Sequence, residues 1–303
     1  MQAFWMILSS FLFASMAVCV KYAAEHFNSA ELVFYRGLIG VLFMAAYAKS
    51  RGISLRTSMP AMHAWRSAVG VVALSCWFYS IAHLPLATAM TLNYMSSVWI
   101  AAFLVGGSLM LGKAGQTGPS QGPLVLAILA SFAGVVMLLR PAIDQNQAFA
   151  GLLGLLSGLA AAYAYMQVMA IARLGEPETR TVFYFAVGTA VAGALAMLVL
   201  GVSPWVWQHA LWLLPLGLLA STGQLCLTKA YAMSSKSDNH GSTLMVANLQ
   251  YSGIVFAAIY SLVLFGDNIP LLGWAGMALI IISAIAATVL RAVAAPNAPA
   301  EEH

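Results

Sequence analysis

Two amide side chains, Asn93 and Gln250, interrupt long apolar runs in this sequence of 303 residues. Polar groups inside apolar helices are costly to bury, and they are usually directed at a cavity or a partner helix. An amide presents more hydrogen-bonding groups than one helical neighbour satisfies, so both residues predict contact with the polar group of a ligand. The alternative is hydrogen bonding between helices. For the Ser and Thr hydroxyls in the same runs that alternative is favoured, because small hydroxyls can also bond to their own helix.

Three cations lie within or near the apolar runs, namely Lys21, Arg36 and Lys229. A guanidinium can bind a carboxylate or phosphate through two parallel hydrogen bonds, so Arg36 is a candidate clamp for an acidic ligand. Two other interpretations stay open. Arg36 could instead pair with Glu31 or Glu25 near the surface, and the two lysines could extend their ammonium groups to the membrane interface.

Aromatic side chains near the middle of the runs could form an apolar wall for a flat or amphipathic ligand. Trp77 and Trp99 lie centrally, and Tyr163 shares a helix face with Gln167. Most other aromatic residues are typical of a core or of an interfacial belt. The candidate substrate-contact residues are Asn93, Gln250, Tyr94, Tyr251, Trp77, Trp99, Tyr163, Gln224, Arg36 and Lys229.

The acidic and sulfur-containing residues argue against several classes of protein. No Asp or Glu lies centrally in an apolar run, so export of cationic drugs through a central carboxylate is disfavoured. The three cysteines have no metal-ligand spacing, and the sequence contains neither a phosphate loop nor a Ser-His-Asp order. We therefore expect no metal, no cofactor, no catalytic residue and no nucleic-acid partner.

Composition indicates which elements hold these residues: 62% of the chain is hydrophobic and 7% is charged, whereas soluble domains carry about 25% charged residues. A membrane-crossing helix needs about 20 mostly apolar residues, and windows of that length predict an all-α integral membrane protein with ten transmembrane helices. The predicted spans are 4–24, 31–48, 64–84, 86–110, 123–140, 150–172, 180–200, 210–232, 242–265 and 271–291. The first is interpreted as a retained helix rather than a signal peptide, and residues 292–303 as a disordered tail.

The distribution of basic residues predicts an orientation in the inner membrane with both termini in the cytoplasm. In that orientation nine of the 13 Lys and Arg residues fall on the cytoplasmic side. They are Lys49, Arg51, Arg56, Arg66, Lys113, Arg173, Arg180, Lys236 and Arg291.

The chain also repeats itself. Val-Phe-Tyr at 33–35 recurs at 182–184, and Asn-Tyr at 93–94 corresponds to Gln-Tyr at 250–251. Predicted spans two and seven therefore match, as do spans four and nine. A five-helix unit crosses the membrane an odd number of times, so the second copy is inverted, as in many secondary transporters that hold substrate between their halves. The predicted repeats are 1–141 and 150–291.

Several short motifs occur in a family-specific order. They are Phe-Tyr-Arg-Gly at 34–37 after Lys21, His-Leu-Pro-Leu-Ala-Thr-Ala at 83–89, Gly-Val-Val-Met-Leu-Leu-Arg-Pro at 134–141, Leu-Thr-Lys-Ala-Tyr at 227–231 and Phe-Gly-Asp-Asn-Ile-Pro at 265–270. With them the chain resembles the drug/metabolite transporter superfamily, in its ten-helix EamA-type branch, over nearly all of 4–291. The resemblance departs at Ser97 and Ile254, where that family often has proline, so the sequence does not predict a break in spans four and nine. Gly-Lys at 112–113 and Gly-Asp at 266–267 replace the family's Gly-Glu.

The expected function is secondary transport of a small polar metabolite by alternating access, with export as the expected direction. The resemblance implies an amino acid, a nucleoside-like compound or a vitamin as substrate, and the lipid bilayer is the expected surroundings. Whether a proton or another ion is coupled stays open, as does the oligomeric state. The alternative is a membrane-embedded enzyme acting on lipid. His63, His83 and His209 lie near different span ends without a carboxylate nearby in sequence, and the mid-span amides disfavour a purely structural protein.

Overall fold

The structure is a computed structural model that describes residues 2–100, 121–144, 147–235, 246 and 249–294. All regular secondary structure within these ranges is helical, which confirms the all-α prediction. The principal helices are α1 (Gln2–Ala23), α2 (Ser29–Ser50), α3 (Pro60–His83), α4 (Leu86–Tyr94), α5 (Gln121–Asp144), α6 (Ala148–Arg173), α7 (Glu178–Leu200), α8 (Trp207–Ala210), α9 (Leu213–Ser235), α10 (Ser252–Leu264) and α11 (Leu271–Ala294). Helix α11 continues to Ala294, three residues into the segment predicted as a disordered tail. Residues 295–303, Lys113, Lys236 and parts of predicted spans four and nine lie outside the described residues.

Within the described ranges, five helical stretches are long and apolar enough to cross a membrane. They are Gln2–Ala23, Ser29–Ser50, Ala148–Arg173, Glu178–Leu200 and Trp207–Ser234. Shorter apolar stretches at Leu129–Leu138, Ser252–Leu264 and Leu271–Ser283 lie inside predicted spans five, nine and ten. Leu198 and Val199 are 82% and 85% exposed, as expected for side chains that face lipid rather than water. The total of ten spans stays a prediction.

Predicted spans four and nine are both interrupted, although neither carries the family's proline. Met95 forms a turn between α4 and a further helical stretch at 96–100, and residues 250–251 form a turn directly before α10. Each turn includes a hydrogen bond to the third residue along, a tighter pattern than in an α-helix. The Met95 carbonyl accepts from the Val98 amide at 2.9 Å and also, as in an α-helix, from the Trp99 amide at 3.0 Å, and the Gln250 carbonyl accepts from the Gly253 amide at 3.0 Å. With Asn93 aligned on Gln250, the turn at Met95 falls one residue beyond the position that corresponds to Tyr251.

Contacts between loops define two ends of the bundle. At the first, called the basic end, the α2–α3 and α6–α7 connections meet, where Arg180 Nε donates to the Ser54 carbonyl at 2.6 Å. At the opposite end the α1–α2 and α7–α8 connections meet, where Asn28 Nδ2 donates to the Gly201 carbonyl at 3.2 Å. The connections at the basic end and the helix termini beside them carry Lys49, Arg51, Arg56, Arg173 and Arg180. Placement of the basic end in the cytoplasm stays a prediction.

Helices α2 and α7 cross at very short distance because glycine lies at the crossing. A β-carbon placed on Gly37 would lie 2.3 Å from the Ala190 backbone nitrogen, and one on Gly193 would lie 2.5 Å from the Phe34 backbone nitrogen. Small residues allow such backbone contact inside membranes, where van der Waals packing drives helix association. The α2–α7 crossing positions the groups that face the centre of the bundle.

Candidate substrate cavity

A narrow cavity lies at the centre of the bundle among α1, α2, α3, α4, α6, α7 and α9, with a volume of about 50 Å³. A space of this size holds a few water molecules and is smaller than the pockets that enclose drug-sized ligands. Its lining residues are Phe13, Arg36, Arg66, Gly70, Ala73, Leu74, Trp77, Asn93, Tyr94, Ala161, Ala164, Tyr165, Phe185 and Gln224. The polar groups are thus assembled in this conformation, but a metabolite requires the helices to separate.

Five of the ten residues predicted to contact substrate line this cavity. They are Arg36, Trp77, Asn93, Tyr94 and Gln224. The amide of Asn93 is positioned by α6, because its Nδ2 donates to Ser157 Oγ at 3.1 Å. This bond leaves the Asn93 carbonyl oxygen as an acceptor for a ligand donor.

Gln250 lies one layer behind the cavity rather than on its surface. Its Nε2 donates to the Tyr165 hydroxyl at 3.3 Å, and its Oε1 accepts from the Tyr231 hydroxyl at 3.4 Å. The two tyrosine rings stack with their centroids 5.6 Å apart. Tyr251 is buried next in the chain, with 3% of its surface exposed. Gln250 therefore positions Tyr165, which does line the cavity.

The other three candidates lie elsewhere in the bundle. Trp99 packs edge-on against Phe132 with a centroid separation of 5.0 Å. Tyr163 is 44% exposed on the outside of α6, and the Lys229 ammonium lies 4.0 Å from the centre of the Trp5 ring. None of the three is among the lining residues of the described cavity.

Two guanidinium groups meet at one aromatic ring in the cavity. The Arg36 Cζ atom lies 5.1 Å from the centre of the Phe185 ring, and the Arg66 Cζ atom lies 4.2 Å from it. Arg36 enters from α2 and Arg66 from α3, and their side chains are 5% and 2% exposed. Cation–π contacts of this kind stabilise a cation, but they do not neutralise its charge.

The predicted alternative for Arg36, an ion pair with Glu31 or Glu25, is wrong. Glu31 instead completes the capping box of α2, accepting from the Asn28 amide at 2.8 Å. Its carboxylate also accepts from the Ser203 amide at 2.9 Å and hydroxyl at 2.7 Å. These bonds occupy Glu31 at the opposite end, away from the cavity.

Arg66, predicted among the cytoplasmic basic residues, is buried in the cavity rather than exposed at the end of its helix; its side of the membrane stays a prediction. Gly70 makes the inward conformation possible: a β-carbon there would lie 2.2 Å from Arg66 Nη1 and 2.7 Å from the Phe185 ring. The glycine one turn after the arginine is the signal that sequence inspection missed. Residues four apart share a helix face, so an arginine can lie along the face that glycine leaves open.

Comparison with known proteins identifies the family. The profile of the EamA-like transporter family matches residues 1–140. The pseudopaline exporter CntI of Pseudomonas aeruginosa is 30% identical over 280 residues, which cover 92% of this chain and 93% of that protein. This chain belongs to the EamA-like transporter family. It is therefore a multi-pass membrane protein, as its composition predicts.

Other relatives of this EamA-like chain are also transporters. A riboflavin transporter of Rhizobium johnstonii is 29% identical, covering 76% of this chain and 74% of that protein. An S-adenosylmethionine uptake transporter of Rickettsia bellii is 24% identical, covering 87% of this chain and 84% of that protein. One crystal structure matches 96% of this chain and 98% of its own with a TM-score of 0.64 and 19% identity, which supports the fold alone.

At the opposite end of the EamA-like bundle, Asp267 connects three segments. The Lys21 ammonium on α1 lies 3.2 Å from Asp267 Oδ2. The same oxygen accepts from the Leu86 amide at the start of α4 at 3.3 Å and from the Ser261 hydroxyl on α10 at 2.5 Å. Lys21 is therefore engaged in an ion pair rather than extended freely to the interface. Asp267 stands where the family has the glutamate of Gly-Glu.

At the basic end, Glu176 in the α6–α7 connection ties α3 to α7. Its carboxylate lies 3.1 Å from His63 Nε2 and 3.1 Å from Arg180 Nη1, and the His63 ring stacks on Tyr184 with a centroid separation of 4.8 Å. Burial acts to raise the pKa of Glu176, but hydrogen bonds from Thr57, His63 and Arg180 hold that pKa below its ordinary value of 4.5. The carboxylate therefore stays ionised at neutral pH and ties α3 to α7 at this end of the bundle.

Proposed function

We propose that this chain is a secondary transporter that carries a small polar metabolite across the inner membrane by alternating access, with export as the direction. The observation that supports this best is the buried cavity, where two guanidinium groups and two amides converge among seven helices. The Lys21–Asp267 pair bridges helices at one end, and the His63–Glu176 pair bridges them at the other. A central site between two separable sets of contacts suits alternating access.

The helix packing supports two inverted five-helix repeats, the finer part of this proposal. The two predicted repeats are compared by replacing each predicted span with the span five places along. The contact between α1 and α9 then corresponds to the contact between α6 and α3, and both pairs of helices pack extensively. The pairs α2–α7, α4–α10 and α5–α11 exchange with themselves, and each pair is in contact. An internal two-fold axis near the cavity accounts for this pattern.

The relatives support a small metabolite as the substrate. They are named for pseudopaline, riboflavin and S-adenosylmethionine, and the relative that is 30% identical is an exporter. The lipid-enzyme alternative finds no comparable support. His63 does have a carboxylate beside it in space, but both side chains are at most 4% exposed and Glu176 is shared with Arg180, as in a structural tie.

Transport by the purified protein in proteoliposomes tests the proposal. We expect a panel of amino acids, nucleosides and vitamins, riboflavin among them, to include at least one compound that exchanges across the membrane faster than in empty vesicles. Repeating the assay with and without a proton gradient identifies coupling, and loading either side gives the direction. No movement of any compound, together with turnover of a lipid, would favour the enzyme.

Thiol labelling in whole cells tests the orientation. A cysteine-free background is needed, since the chain has Cys19, Cys76 and Cys226. We expect a membrane-impermeant maleimide to label cysteine introduced at Glu25, which is exposed at the opposite end, and not cysteine introduced at Arg56, which is exposed at the basic end. The reverse pattern would place both termini outside.

Replacement of the two predicted amides with leucine separates substrate contact from packing. We expect Asn93→Leu to lower substrate affinity about 2- to 10-fold, the effect of one neutral hydrogen bond, with little change in thermal stability. Gln250→Leu removes a partner from both Tyr165 and Tyr231, so we expect it to lower the melting temperature. Melting curves and the dependence of transport rate on substrate concentration, measured on both variants, distinguish substrate contact from packing. Equal affinity loss without destabilisation in Gln250→Leu would place that amide in contact with substrate.

A further inference from the structure

The cavity holds two positive charges that no carboxylate of the described residues neutralises. Arg36 and Arg66 are 5% and 2% exposed, and guanidinium groups stay protonated in proteins. Arg36 Nε, Arg66 Nε and Arg66 Nη1 are buried without a hydrogen-bond partner. Within the described part of the chain, neither guanidinium lies within ion-pair distance of a carboxylate.

The acidic side chains with described contacts are engaged at the two ends of the bundle. Glu31 caps α2, and the Glu25 carboxylate lies 4.0 Å from His209 Nδ1. Glu176 pairs with His63 and Arg180, and Asp267 pairs with Lys21. An unpaired charge inside a protein is costly, and two like charges within about 5 Å of the centre of one ring repel each other. A purely structural role therefore does not explain why two arginines, rather than apolar residues, lie beside Phe185.

Resting on the proposed transport function, we propose that Arg36 and Arg66 together bind the negatively charged part of the substrate, and that the substrate is an organic dianion. Two guanidinium groups match either a pair of carboxylates or one phosphate monoester, because both carry the charge that balances the site and both accept bidentate hydrogen bonds. The same cavity offers the amides of Asn93 and Gln224 for uncharged polar groups and the Trp77 ring for an apolar part.

The test uses the full-length protein, purified in an uncharged detergent at neutral pH and constant ionic strength. Its melting temperature is measured with glutarate against glutaramide, and with glycerol 3-phosphate against glycerol. Each pair has one dianion and one neutral molecule of similar shape, and the two pairs distinguish carboxylate from phosphate recognition. We expect a saturable rise of about 2–4 °C with at least one dianion and none with the neutral members.

Variants assign the effect to the two arginines. In Arg36→Gln and Arg66→Gln the dissociation constant derived from the shift should rise at least about tenfold, as expected for loss of a charge-assisted hydrogen bond. Arg66→Lys keeps the charge but not the planar fork, so it should be impaired less. Arg56→Gln, at an exposed position of the basic end, is the matched control and should bind as the wild type does.

Three results would overturn the proposal: no rise with either dianion, an equal rise with the neutral members, or a rise that persists in both glutamine variants. The first two results are measured on the wild-type protein alone, so they can contradict the proposal even if a variant fails to fold. The outcome is also separate from the proposed function. Transport of neutral metabolites without dianion binding would leave the function standing, whereas dianion binding without transport in proteoliposomes would remove the function and leave the site.

Discussion

Valine in place of Gly37 is expected to push α2 away from α7 and to destabilise the folded bundle. Even the first side-chain carbon would lie 2.3 Å from the Ala190 nitrogen and 2.9 Å from the Ala186 carbonyl oxygen. These are backbone atoms of a rigid helix, so no rotamer change relieves the overlap. Overpacking usually costs about 1–3 kcal/mol, and we expect the upper part of that range. The apparent melting temperature should then fall by about 6–12 °C.

The measurement is the melting curve in detergent, together with the fraction of extracted protein that elutes as a single species. Gly193→Val should behave in the same way, because it meets the Phe34 backbone on the reciprocal side of the crossing. Leu38→Val is the matched control, since Leu38 follows Gly37 on α2 but is 39% exposed. A Gly37→Val protein with wild-type yield and melting temperature would show that the two helices do not pack as described.

Alanine in place of Gly70 is expected to abolish most transport while leaving the fold intact. The added methyl group would overlap with Arg66 Nη1 at 2.2 Å and the Phe185 ring at 2.7 Å. A guanidinium is the far end of a flexible side chain, so it moves out of the cavity instead of forcing helices apart. In a helix interior alanine is intrinsically favoured over glycine by about 1 kcal/mol, which offsets destabilisation. If Arg66 contributes a charge-assisted hydrogen bond to the substrate, its loss reduces affinity about 10- to 100-fold.

Transport into proteoliposomes, normalised to folded protein, measures this effect. Val72→Ala, on the same helix but 50% exposed, provides a control substitution of similar size. Wild-type transport by Gly70→Ala would mean that the inward position of Arg66 is not needed. A large fall in melting temperature would mean that the glycine serves helix packing instead.

The sequence predicted those cavity residues whose polarity is unusual for the middle of a span. Asn93 stands out in an apolar segment, and Trp77 lies centrally in another, so both could be assigned to a pocket without knowledge of their neighbours. The helices were predictable for the same reason, because long apolar runs require that backbone groups bond within the segment. The turns at Met95 and residues 250–251 were not, since no proline marks either position.

Arg66 illustrates what could not be predicted. It lies near the end of its span, where an arginine normally reaches water, and its inward course depends on Gly70 and on Phe185 from a distant helix. Gln250 is an example of a residue assigned to the ligand site that does not line it. Its mid-span amide could bind a ligand, but it is hydrogen-bonded to the hydroxyls of Tyr165 and Tyr231. The partner of a buried polar group is decided by which helices meet, and that information is not local.

The two buried guanidinium groups would also make a carrier that rearranges around them sensitive to the membrane voltage. One elementary charge moved through 100 mV changes its energy by about 2.3 kcal/mol. Were Arg36 and Arg66 to pass through one fifth of that field as the bundle rearranges, the equilibrium of the empty carrier would shift by about 1 kcal/mol. If the proposed dianion binds to both arginines, it cancels the moving charge, so loaded crossings would be electrically silent. The return of the empty carrier would then be the step that voltage accelerates or retards.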